Sequence, residues 1–187
     1  MLKKLKIGLI VLILFKLACV KIPVSDSGEF YSSLFKMSAK VEGNNVNSLR
    51  LYITSDCKDF FAINILLPTN RLVLRANYDG KKLVIVDYGN KIAYIDNKKP
   101  FDLKRVMGYS LNIGDFVDFF NRCYLKKQCN KKSADGTKMI VNDVGQIVIM
   151  GKFGNILLKP VGKTVKGKIE STEITVPKGF KVIYERD

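Results

Sequence analysis

Residues 49–96 read LRLYITSDCKDFFAINILLPTNRLVLRANYDGKKLVIVDYGNKIAYID, and through most of this stretch apolar side chains recur at every second position. Leu49, Leu51 and Ile53 alternate with Arg50, Tyr52 and Thr54, and Phe61, Ile63 and Ile65 alternate with Ala62 and Asn64. Leu72, Leu74 and Ala76 then alternate with Val73 and Arg75. A period of two is that of a strand with one buried face, because successive side chains of an extended chain point to opposite sides. Between the runs lie turn formers. Tyr78-Asp79-Gly80-Lys81 leads into Leu83–Val86, and Gly89-Asn90 leads into Ile92–Ile95. Short strands joined by tight turns predict an antiparallel meander.

The same grammar resumes downstream, at Met139–Val141, Ile147–Met150, Asn155–Lys159, Val165–Thr175 and Phe180–Tyr184, with Gly151-Lys152-Phe153-Gly154 as a hairpin turn. About ten or eleven strands result, more than a small sheet carries without curling. Two segments show helical spacing instead. Phe30, Leu34 and Phe35, following Ser25 and Ser27, suggest a short amphipathic helix before the first strand. Ile113, Phe116, Val117, Phe120 and Tyr124 follow i, i+3, i+4, i+7, i+11, with Asn112 as N-cap and Asp115 in the first turn, where a carboxylate favours the helix dipole. Pro100–Gly108, with Phe101, Leu103, Val106 and Met107, adds an apolar turn ahead of that helix. The expected class is mainly β (α+β): a curled antiparallel sheet, or incomplete β-barrel, with helices covering its open side.

Upstream of the body, Lys3, Lys4 and Lys6 precede Ile7–Phe15, a run that is apolar apart from Gly8. That is the pattern of a secretory signal, and it is too short to span a bilayer. Leu17-Ala18-Cys19 resembles the lipobox of bacterial lipoproteins, in which the cysteine becomes a lipidated N-terminus; Lys16 stands where that pattern prefers an aliphatic residue. The alternative is a free Cys19 thiol in an uncleaved, weakly anchoring segment. The expected organisation is a signal peptide at 1–18, a tether at 19–27 and one domain at 28–187. The residues beyond the signal suffice for one domain and one core.

Composition narrows the chemistry. The formal net charge is +15 at pH 7, or +11 with the four lysines of residues 1–18 set aside. An exported chain is not expected to meet nucleic acid, and several lysines fall in pairs at turns, as in Lys81-Lys82 and Lys126-Lys127. A solvated surface or an anionic lipid surface remains. The chain contains no histidine, which removes the usual general base, the Ser-His and Cys-His nucleophile pairs and the commonest zinc ligand. Asp56/Asp59 and Asp115/Asp118 sit in turn-like or exposed helical contexts, where a solvated face explains them better than an acid/base dyad. No phosphate-binding Gly-Lys-Ser/Thr occurs in the glycine-rich turns. No enzyme, metal or cofactor is expected. With Cys19 acylated, Cys57, Cys123 and Cys129 are an odd three; Cys123 and Cys129 are nearest in sequence, and Cys57 with either is the other pairing.

In pattern and order the chain resembles the LolA/LolB-like fold of periplasmic lipoprotein carriers and outer-membrane lipoprotein receptors. The residues that carry the resemblance are the segment ending at Phe35, Lys40-Val41-Glu42-Gly43, the meander from Leu49 to Asp96, Leu111–Phe120 and Val176-Pro177-Lys178-Gly179-Phe180. The resemblance implies an incomplete barrel around an apolar cavity that holds acyl chains of lipoproteins or lipids. It also implies anchoring through Cys19 to the outer membrane, facing the periplasm, with a periplasmic carrier protein as transfer partner. Inward candidates for that cavity are Leu51, Ile53, Phe61, Ile63, Ile65, Leu72, Leu74, Leu83 and Ile85, with Phe116, Phe120 and Tyr124 from the covering helix. Plain core packing would select the same residues. Leu66 and Leu67, beside Pro68, stand where the receptor branch carries a membrane-touching loop. The expected function is handling of lipoproteins or lipids in their localisation. The alternative is a structural or assembly lipoprotein whose barrel is filled by its own side chains and which binds protein partners.

Overall fold

The computed structural model describes residues 29–41, 44–79, 81–96, 111–134, 136–152, 154–168 and 174–184. The signal segment, Cys19, the tether and the Pro100–Gly108 turn lie outside the described residues. Among those described, twelve strands form one sheet: β1 (Phe30–Val41), β2 (Asn44–Ser55), β3 (Phe60–Leu66), β4 (Leu72–Asp79), β5 (Leu83–Asp87), β6 (Ile92–Asp96), β7 (Lys131–Ala134), β8 (Thr137–Val141), β9 (Ile147–Gly151), β10 (Gly154–Pro160), β11 (Val165–Gly167) and β12 (Lys181–Tyr184). The order is β12-β6-β5-β4-β3-β2-β1-β10-β9-β8-β7, with β11 also on β1, so the sheet is open and ends at β12 and β7. One short helix, α1 (Ile113–Phe119), continues as a π-helix over Phe120–Leu125.

The meander pairs as its alternation predicts. Leu51 faces Ile65, Ile53 faces Ile63, Ile65 faces Leu74 and Ala76 faces Ile85, which puts every one of these side chains on the same side. The turn after β4 is held by Asp79, whose Oδ1 accepts from the amides of Lys81 and Lys82 at 2.9 and 2.8 Å. Burial disfavours the charged form of Asp79, yet the Lys82 and Lys81 amides outweigh it and hold the carboxyl below its ordinary value. The β5–β6 turn is held likewise by buried Asp87, which accepts from the Asn90 amide and side chain at 3.0 and 2.7 Å.

The segment from Phe30 is a strand rather than the expected helix. Ser33, Phe35, Met37 and Ala39 are all buried, a period of two that runs through a serine. Ser33 tolerates burial because its Oγ lies 2.8 Å from Thr164 Oγ1. Leu34, which suggested the helical stripe, faces the other side. β1 pairs with β2 on one flank and with β10 and β11 on the other, so its backbone hydrogen bonds go to the ladder and a helix would forfeit them. Asn47 and Ser48 together oppose Ser38, a bulge at which Ser48 takes φ +69°.

The expected strand over Val165–Thr175 is limited to the three residues of β11; residues 169–173 lie outside the described residues, and Ile174 and Thr175 are irregular. Ile174, Val176 and Phe180 pack on Val84, Val86 and Ala93, on the face of β5 and β6 opposite the main core. This cover explains why β5 is buried on both sides. The chain then adds β12 parallel to β6.

Candidate functional site

The inner face of the sheet meets the helix in one apolar cluster. It takes Leu83 and Ile85 from β5, Phe35 and Met37 from β1, and Met139, Ile147 and Ile149 from β8 and β9. These strands are far apart in the sheet, and all contribute to the cluster that includes Ile113, Phe116, Phe119, Phe120 and Tyr124 of the helix. Eleven of the twelve cavity candidates belong to it, and only Leu72, half-buried, does not.

The helix is built to lie there. Asn112 caps it, its side chain accepting from the Asp115 amide at 3.1 Å. Past Phe119 the hydrogen bonding widens, so that the Lys126 amide reaches Asn121 O, and Lys127 at φ +55° ends the run. In this wider turn Phe120 and Tyr124 stack at 5.2 Å, and Phe35 packs edge-on against both, 6.2 Å from Phe120 and 5.2 Å from Tyr124. The Tyr124 hydroxyl shares hydrogen bonds with Thr164 and Ser33, and burial pushes its pKa up against them. Disulfide-bonded Cys123 and Cys129 close the helix exit.

A second tie is ionic. Lys132, on β7, donates from Nζ to Asp115 Oδ1 at 3.0 Å and Asp118 Oδ2 at 2.8 Å. Burial alone would lower the Lys132 pKa, but the two carboxylates of the helix raise it above the ordinary lysine value. Asp115 and Asp118 therefore serve a structural ion pair.

Cys57 is a half-buried free thiol at φ +60°, raised by burial, with Lys126 pulling it down and Asp56 adding to the rise. It borders a polar cleft of about 350 Å³ that also includes Lys58, Asp118, Asn121, Arg122 and Lys126. Burial thus works against the thiolate form of Cys57. Among the described residues no group of three His, Cys, Asp or Glu is placed to hold a metal, and no helix is long and apolar enough to cross a membrane.

Leu66 and Leu67 do not form a loop tip. Leu66 ends β3, and Leu67 opens a turn in which the Asn70 amide donates to Leu67 O at 2.9 Å, so the exposed tip is Pro68-Thr69-Asn70. The alternation did not flag Ser33 and Thr164, which meet across 131 positions of sequence. For Ser33 the available signal was its place two residues before Phe35 and four before Met37.

No family model matches the chain. No curated protein matches it either. Among solved structures, it is similar to an uncharacterized conserved protein from Thermus thermophilus, with a TM-score of 0.42 and 11% identity over 86% of this chain and 92% of that one.

Proposed function

We propose that this protein binds acyl chains between the inner face of its sheet and the helix, without covalent chemistry, and handles lipids or lipoproteins in the cell envelope. The observation that supports this is the convergence of eight strand candidates on the other three, Phe116, Phe120 and Tyr124, within one helix of thirteen residues. Phe120, Tyr124 and Phe35 occupy the space an acyl chain would take, and withdrawal of the helix would exchange their contacts for those of the ligand. An acyl chain gains about 0.8 kcal/mol per methylene removed from water, enough to compete with such packing. In this reading the open sheet is an incomplete barrel, the helix is its movable cover, and Cys19 carries the lipid anchor at the outer membrane.

The aromatic trio favours a second reading, in which the interior is filled permanently by its own side chains and the protein is a structural lipoprotein that binds partners. Expression of the full chain in a diderm bacterium, followed by intact mass and solvent extraction, separates the two. A mass starting at acylated Cys19, with acyl material bound also to the Cys19→Ala form, is expected for the lipid-handling protein. An acylated chain that carries no lipid, and does not bind a fluorescent fatty acid, would leave the structural reading.

A further inference from the structure

The inner face is apolar, and the outer face carries a pattern of its own. Lys36 on β1 is the direct partner of Lys159 on β10 and of Arg50 on β2. Partners in an antiparallel ladder share a face, so three cations stand in a row across three adjacent strands, each about 4.8 Å from the next. All three are exposed. Arg50 donates to Asn70 Oδ1 at 2.7 Å, a neutral acceptor, and no described carboxylate pairs with any of the three. Lys40 and Lys138, also exposed, extend the positive field along β1 and β8. Among the described outward positions from β8 through β9, β10 and β1 to β2 and β3, no Asp or Glu occurs.

Like charges placed opposite each other weaken a sheet, and no carboxylate among the described residues offsets this row. Beside it the same face carries apolar side chains among serine, threonine and asparagine. Leu34 opposite Tyr52, which is 40% exposed, lies two residues along on one side, and Leu157 opposite Val148 lies on the other. We infer that this outer face docks on a bilayer surface rich in anionic phospholipid, with Lys36, Arg50 and Lys159 on headgroup phosphates and the flanking aliphatics and Tyr52 at the headgroup boundary. Cations bordered by aliphatic side chains suit a lipid interface. A surface for single-stranded nucleic acid would carry stacking aromatics between the cations, and among the described residues only Tyr52 is an exposed aromatic beside the row; duplex DNA is distinguished by the test below. The inference concerns the face opposite the acyl site and does not depend on that site.

The test is cosedimentation of the full chain with vesicles of phosphatidylcholine alone, or mixed in equal parts with phosphatidylglycerol. The triple variant Lys36→Gln, Arg50→Gln, Lys159→Gln is compared with Lys81→Gln, Lys82→Gln, Lys126→Gln, which removes the same charge at the turn after β4 and the helix exit. The N-terminal segment is common to both. The face variant is expected to lose about a hundredfold of the preference for anionic vesicles, while the control keeps most of it. Its melting temperature should hold or rise, since a repulsive row is removed. Equal loss in both variants, no loss in the face variant, or tighter binding of duplex DNA than of anionic vesicles at the same ionic strength would each overturn the proposal.

Discussion

Tyr124 holds the helix in two ways, with its ring in the aromatic trio and its hydroxyl on Ser33 and Thr164. Tyr124→Phe keeps the ring and leaves Ser33 and Thr164 paired with each other, so urea unfolding should show a loss of about 0.5 to 1.5 kcal/mol. Phe120→Ala empties a fully buried ring position and should cost about 3 to 5 kcal/mol in the same measurement. Lys132 adds a pH dependence. Its pKa is raised in the folded chain, so the stability it contributes is present below the ordinary lysine value, about 10.4, and is lost as pH rises through the folded value. Lys132→Met should lower stability by about 1 kcal/mol at neutral pH and flatten the alkaline fall; an unchanged alkaline limb would show that the ion pair contributes nothing.

The helix is thirteen residues including its π-turn, too short to stand in water without the sheet. It therefore depends on its ends. Asn112→Ala should cost about 1 kcal/mol by removal of the cap, and Cys123→Ser with Cys129→Ser about 2 kcal/mol, the entropy of a closed loop this short. If the helix is a cover for acyl chains, the double serine variant should also take up a fluorescent fatty acid faster than the parent. At the same scale, β1 shows where local reading stops. Its burial alternates as strictly as that of β3, but a serine occupies one inward position, and the hydroxyl that satisfies it comes from the far end of the sequence.

At the scale of the molecule, all twelve described strands share one sheet, and strands from the two halves of the chain share one core cluster. β1 and β10 form the seam between those halves. Unfolding should therefore be a single cooperative transition, with far-ultraviolet circular dichroism and tyrosine fluorescence coinciding along a denaturant titration. Two separate transitions would mean that the meander β2–β6 holds together without β7–β10. The exposed ends of the sheet are short, β7 and β12 having four residues each, and both carry lysine, which discourages pairing with another chain.

The strands from Leu49 to Asp96, the inward side of those up to Ile85, the Asn112 cap and the absence of histidine are legible in the residues alone. Those features are local: a period of two, a turn residue or a cap is set by neighbours a few positions away. Long-range pairing, by contrast, makes residues 30–41 a strand, lays the C-terminal segment over β5 and β6 with a parallel partner for β6, and stands Lys36 between Arg50 and Lys159. Each depends on pairing between segments distant in the chain, where the burial of a serine or the opposition of two cations arises from register rather than from local spacing.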